Sequence, residues 1–128
     1  MAHKMGIYKC MESGVVVEVF VEGEGDLLCC DEEMKQLDEK NKEGAGEKHL
    51  PVVEPTGNGG ILVKVGSVPH PMDAEHWIQF IEVVTKDNYV LRKNLCPGDK
   101  PEASFHVEMA NVAAVRELCN KHGLWSKM

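Results

Sequence analysis

Residues 77–91 read Trp77-Ile78-Gln79-Phe80-Ile81-Glu82-Val83-Val84-Thr85-Lys86-Asp87-Asn88-Tyr89-Val90-Leu91. The first eight are rich in β-branched and aromatic side chains, the types that fit a pleated surface. Lys86-Asp87-Asn88 is a turn signal, and Tyr89-Val90-Leu91 resumes the strand pattern. Similar segments lie on either side. Ile61-Leu62-Val63-Lys64-Val65 runs into Gly66, and Pro97-Gly98-Asp99 marks a further turn. Ser104-Phe105-His106-Val107-Glu108-Met109 alternates, with Phe105, Val107 and Met109 expected on one face. Turn signals at intervals of roughly ten residues predict a β-sandwich. Residues 111–118 stay open, because their alanines and Glu117 would also suit a helix.

The N-terminal third has a separate character. Gly14-Val15-Val16-Val17-Glu18-Val19-Phe20-Val21 predicts a strand, and Glu22-Gly23-Glu24-Gly25-Asp26 a turn. Residues 7–30 thus form a small β unit with Cys10 before its strand and Cys29-Cys30 after it. From residue 31 to 48 the composition turns to Glu, Lys, Asp, Asn and Gly. It reads as a polar linker in which Met34 and Leu37 suit at most one helical turn. The expected architecture is all-β: a small N-terminal domain over residues 1–37 and a sandwich over residues 38–128.

Composition narrows the function. A chain of 128 residues with 43% hydrophobic and 27% charged residues is a folded protein of ordinary make-up. A net charge of −7, no basic stripe and 5% aromatic residues argue against nucleic acid as a partner. The same charge repels an anionic substrate unless a local cation offsets it. No apolar run is long enough to span a membrane. Met1 to Cys10 carries no signal-peptide pattern, so the expected location is cytoplasmic. Five cysteines, an odd number without a secretion signal, point to thiols or metal ligands rather than a disulfide framework.

Histidines and one cysteine gather in three loop-like places. His49 precedes Pro51, His70 lies between Pro69 and Pro71, and His76 follows six residues later. Cys119 and His122 form Cys-x₂-His before Gly123. Flanking prolines fix φ and remove backbone donors, which suits holding the His70 imidazole in place. A histidine in a loop is ordinarily a solvated polar residue, and His3 and His106 are read that way. For the others, spacing alone leaves incidental histidines and a metal site both open. Imidazole suits zinc, copper, nickel and iron alike. A structural zinc site closes at four ligands, whereas five leave an octahedral ion one open position.

Glu47-Lys48-His49-Leu50-Pro51-Val52, Val63-Lys64-Val65-Gly66-Ser67-Val68-Pro69-His70-Pro71-Met72, Glu75-His76-Trp77-Ile78-Gln79 and Cys119-Asn120-Lys121-His122-Gly123-Leu124-Trp125 together resemble, in order and spacing, the superoxide reductase core of the desulfoferrodoxin family. Tyr8-Lys9-Cys10 and Leu28-Cys29-Cys30 resemble its desulforedoxin-like N-terminal domain. The resemblance implies an immunoglobulin-like sandwich holding a mononuclear iron by His49, His70, His76, His122 and the Cys119 thiolate. It implies one-electron reduction of superoxide to hydrogen peroxide, with the iron re-reduced by a rubredoxin-type donor. Lys48 would draw superoxide in, and Glu47 would fill the sixth position of the resting ferric form. It also implies a homodimer, and a strand rather than a helix over residues 111–118. A non-catalytic metal-binding or electron-transfer sandwich is the alternative.

The family's N-terminal domain carries Cys-x₂-Cys and an adjacent cysteine pair around a tetrahedral sulfur-ligated iron. Here Cys10, Cys29 and Cys30 are present, but Ser13 stands at the fourth position. A serine hydroxyl is a harder and far less acidic ligand than a thiol. A second iron or zinc at this place is therefore expected to be absent or labile. Cys96 matches no ligand position and reads as an ordinary thiol.

Overall fold

The computed structural model describes residues 1–41, 49–67 and 70–127, and its contacts divide the chain into two compact units, Met1–Asp38 and Glu39–Met128.

In the first unit, β1 (Ile7–Lys9) lies between β2 (Val16–Glu18) and a later strand, and β3 (Leu28–Cys29) pairs with β4 (Glu32–Glu33). β5 (Lys35–Gln36) completes the three-stranded sheet against β1, with Tyr8 opposite Gln36. Cys30 and Asp31, at φ 54° and 60°, make the two-residue turn between β3 and β4. Positive φ at both centres is the geometry whose twist suits a tight hairpin. Tyr8, Cys10, Val19 and Met34 form the small core. The long strand expected over residues 14–21 is only three residues, because β1 offers only three partners. Phe20 and Val21 beyond it are 72% and 84% exposed. The helical turn suggested around Met34 does not form. Met34 is buried between two short strands in what read as linker.

The second unit opens with β6 (Glu39–Lys40), β7 (Pro51–Pro55), β8 (Ile61–Val65) and β9 (Ile78–Thr85). β10 (Val90–Asn94), β11 (Glu102–Phe105), β12 (Val112–Cys119) and β13 (Gly123–Lys127) follow. They form a five-stranded sheet, β10-β9-β12-β13-β6, and a three-stranded sheet, β11-β8-β7. All pairings are antiparallel except β6 with β13. Ile61, Val63 and Val65 alternate into a core shared with Ala103, Ile78, Ile81, Val83, Val115 and Cys119. That core draws on both sheets, which is the sandwich the turn spacing predicted.

Residues 112–119 are a strand, flanked on both edges by β9 and β13. Two ladders override their mixed propensity. The alternation read over residues 104–109 holds only in part. β11 ends at Phe105, Val107 is buried, and Met109 is 39% exposed in a 3-10 turn, Met109–Asn111. Asn111 N–H donates to the Glu108 carbonyl at 2.9 Å, which curls the chain out of the ladder. β6, β7 and β13 were not anticipated. β6 lies in the polar stretch, and only its pairing with Leu124 and Trp125 makes it a strand. Between β9 and β12 sits a buried ion pair. The Arg116 guanidinium, 4% exposed, bonds the fully buried Glu82 carboxylate and also reaches Glu39 at 3.4 Å.

Candidate metal centre

Antiparallel pairing explains why distant residues meet. Pro51 at the start of β7 faces Val65 at the end of β8. Ile78 at the start of β9 faces Cys119 at the end of β12, which faces Gly123 at the start of β13. His49 lies just before β7, His70 beyond β8, His76 just before β9, and His122 in the β12–β13 turn. Cys119 is the last residue of its strand, on the core face with Val115. The loops therefore converge at one end of the sandwich.

The four imidazoles form a closed ring. Centroids of His49 and His70, His70 and His76, and His49 and His122 are each 4.7 Å apart, and those of His76 and His122 are 4.9 Å apart. Neighbouring rings are steeply inclined, at 65–82°. One ligand atom from each histidine and the Cys119 Sγ all lie within 4.8 Å of one another. His49 Nε2 and His122 Nδ1 are 3.0 Å apart. Two nitrogens each about 2.1 Å from one cation, a right angle apart, have about this separation. His70 Nδ1–H donates to the Pro71 carbonyl at 2.7 Å, which leaves Nε2 with the lone pair. The buried Nε2 atoms of His70 and His76 have no hydrogen-bond partner among the described residues. Buried polar atoms are ordinarily satisfied, so an inward-facing orphan pair marks a cation's place. This donor set suits iron.

Burial sets the protonation. It pulls the His70 pKa from 6.5 to about 4, against the opposing Pro71 carbonyl. It also lowers that of His76, aided by the His122 imidazole. Both rings are therefore neutral at pH 7, as ligation requires. Burial raises the Cys119 thiol, so its thiolate is favoured only beside a cation.

Sequence reading assigned no role to three residues that brace this arrangement. Asn120 Oδ1 accepts from Trp77 N–H at 3.0 Å, and its Nδ2 donates to the Glu75 carbonyl at 2.9 Å. It thereby clasps the His76 segment to the Cys119–His122 turn. Trp125 stacks on His49, with centroids 4.8 Å apart and planes 12° apart, and its Nε1–H donates to the His122 carbonyl at 3.1 Å. Lys40 Nζ donates to that same carbonyl at 2.8 Å and sits 5.3 Å over the Trp125 ring. Asn120 and Trp125 lie within the Cys119–Trp125 motif. Nothing local marked Lys40, which reaches the turn only because β6 joins β13. His3, His106 and Cys96 are exposed and belong to neither ligand group. Glu47 and Lys48 lie outside the described residues.

In the first unit Cys10, Cys29 and Cys30 bring their sulfurs within 4.8 Å of one another. Ser13 N–H donates to Cys10 Sγ at 3.4 Å, and Ser13 Oγ lies 3.4 Å from Cys29 Sγ. Hydrogen bonding from Cys29 and then Ser13 lowers the Cys10 pKa to about 6, and the same contact raises that of Cys29. Three thiols and a hydroxyl do not fit a four-thiolate centre.

The sequence model described as desulfoferrodoxin matches residues 41–128, and that of the desulfoferrodoxin N-terminal domain matches residues 2–37. The desulfoferrodoxin of Syntrophotalea carbinolica is 50% identical over 126 residues, covering 98% of each chain. The desulfoferrodoxin homolog of Methanothermobacter thermautotrophicus is 53% identical over 119 residues, 93% of this chain and 94% of that one. Among solved structures, the superoxide reductase from Treponema pallidum aligns with a TM-score of 0.79 at 29% identity, covering 98% of both chains.

Proposed function

The chain belongs to the desulfoferrodoxin family, and from that premise we propose that it is a superoxide reductase, reducing superoxide to hydrogen peroxide with one electron and two protons. The observation that carries this reading is the ring of four imidazoles whose ligand atoms and the Cys119 sulfur all lie within 4.8 Å of one another. In this reading His49, His70, His76 and His122 hold iron with Cys119. Iron there supplies the electron, and a thiolate ligand strengthens its donation, as it does in P450 haem.

The chain's own residues do the rest. The Pro71 carbonyl fixes the His70 tautomer, and the Trp125 stack fixes the plane of His49. Asn120 keeps His76 in register with the Cys119–His122 turn. Lys48 supplies a local cation against the net charge of −7 and steers superoxide inward. Glu47 would supply a carboxylate ligand to iron held there. Both roles rest on the sequence resemblance.

A small rubredoxin-type protein is the proposed electron donor, and the exposed His122 brings the centre to the surface for it. The proposed homodimer is supported by Met11, Val15, Phe20, Val21 and Leu28 on the first unit, 49–84% exposed. No helix among the described residues is long and apolar enough to cross a membrane, and the proposed location is the cytoplasm.

The test is the visible spectrum of iron-loaded protein on one-electron oxidation, with Cys119→Ser alongside. A thiolate-to-iron charge-transfer band that is missing in Cys119→Ser supports the site. Superoxide consumed mole for mole with peroxide formed, without dioxygen release, supports the reaction. An identical band in Cys119→Ser, or dioxygen evolution, refutes the site or the reaction respectively.

A further inference from the structure

The N-terminal trio of thiols is built for a different chemistry from that of the histidine ring. Cys10 is 3% exposed, Cys29 is half-buried and Cys30 is exposed, so the cluster runs from the core of its unit to the surface. All three are free, and their sulfurs lie within 4.8 Å of one another. Ser13 fills the fourth corner with an oxygen 3.4 Å from Cys29 Sγ, so a four-thiolate shell cannot close. Packed thiols without that shell are open to thiol–disulfide chemistry.

Geometry selects the pair. Cys29 and Cys30 have sulfurs 3.9 Å apart. They are sequence neighbours, however, with Cα atoms about 3.8 Å apart across a trans peptide, whereas disulfides span about 4.4–6.8 Å. A bridge between them would strain the backbone. Cys10 and Cys29 are separated by nineteen positions, with Cys10 in the small core and Cys29 packed against it. Cys10 Sγ lies 3.8 Å from the Cys29 carbonyl oxygen, and Ser13 contacts both sulfurs. They can bridge without that constraint.

We propose that Cys10 and Cys29 form a peroxide-oxidised dithiol, converted to an intrachain disulfide by hydrogen peroxide. Cys29, the more accessible of the two, gives up its thiol proton to solvent, and its sulfur attacks one peroxide oxygen. The O–O bond breaks, hydroxide leaves and is protonated to water, and Cys29 becomes a sulfenic acid. The Cys10 sulfur then attacks the Cys29 sulfur. The S–O bond breaks, a second water leaves, and the S–S bond forms. Two thiols are oxidised by two electrons, and one peroxide is reduced to two waters. The proposed reductase activity makes peroxide on the same chain, so the identity of the oxidant in the cell rests on that reading. The thiol chemistry itself does not.

The experiment treats the reduced full-length protein with hydrogen peroxide, alkylates remaining thiols, and maps peptides by mass under non-reducing conditions. Expected is the loss of two alkylatable thiols, a linked Cys10–Cys29 peptide within one chain, and full recovery with dithiothreitol. Cys30→Ser should retain the bridge, while Cys10→Ser and Cys29→Ser should each abolish it. Survival of both thiols, including survival because zinc or iron stays bound to the trio, overturns the proposal. So does a bridge that uses Cys30. None of these readouts involves superoxide, so they separate this proposal from the fate of the reductase reading.

Discussion

Asn120→Ala removes the clasp between the His76 segment and the Cys119–His122 turn. Two side-chain hydrogen bonds disappear, at 3.0 Å to Trp77 N–H and 2.9 Å to the Glu75 carbonyl. Each is worth about 1 kcal/mol net. Glu75 is exposed, so water replaces that bond at small cost, while the half-buried Trp77 N–H is harder to satisfy. A total of about 1–2 kcal/mol follows. If the clasp presets the position of His76, the ion must do that ordering itself in the variant. At 1.4 kcal/mol per factor of ten, metal affinity should fall roughly five- to thirtyfold. Braces around metal ligands elsewhere are worth about 10–100-fold, the same order. The assay is competition for cobalt or iron against a chelator, run beside urea unfolding of the metal-depleted chain. Asn120→Asp keeps the acceptor for Trp77 and should fall between. An unchanged affinity, with stability reduced by the full amount, would mean that Asn120 only holds the fold and would refute the argument.

Acid should weaken the metal-depleted chain through His70. Its folded pKa, about 4, lies below the ordinary 6.5, so the unfolded chain binds the proton first. Stability is full above about pH 6.5 and is lost as pH falls towards about 4, by about 3 kcal/mol if the whole shift is expressed. Urea midpoints across that window check it, and His70→Asn should flatten the curve. Arg116→Met leaves the buried Glu82 carboxylate facing Arg92 at 3.9 Å without its close guanidinium partner, and should cost about 3 kcal/mol or more in unfolding free energy. Adding Glu82→Leu should recover much of that loss. Ser13→Cys places a fourth thiol at the Cys10–Cys29–Cys30 trio, and elemental analysis should show one additional tightly held iron or zinc per chain. Lys48→Ile should slow the second-order reaction with superoxide and flatten its ionic-strength dependence. Stopped-flow rates at several salt concentrations decide this, and unchanged rates and salt dependence would remove Lys48 from the mechanism.

Much of this protein is read directly from its chain. The alternation of Ile61, Val63 and Val65 and the turn at residues 86–88 predict strands, because side-chain direction along a strand is a local property with a period of two. His49, His70, His76, Cys119 and His122 stand out for a different reason. Ligation and redox chemistry need particular atoms, and the spacing of those residue types is written in the sequence. Ser13 likewise announces, as a single letter, that the N-terminal sulfur shell is incomplete.

Other features arise only when strands meet. Residues 112–119 have the composition of either a helix or a strand, and two flanking ladders make them a strand. Glu39 and Lys40 look like solvated linker until β13 pairs with them, and only then does Lys40 reach the His122 carbonyl. The closing of the imidazole ring belongs to the same class. The register of Ile78 against Cys119 and Pro51 against Val65 sets which nitrogens face one another. Register is a relation between segments dozens of residues apart, selected by burying both sheets' apolar faces together. No local stretch of sequence carries it, although each stretch names the atoms it brings to the centre.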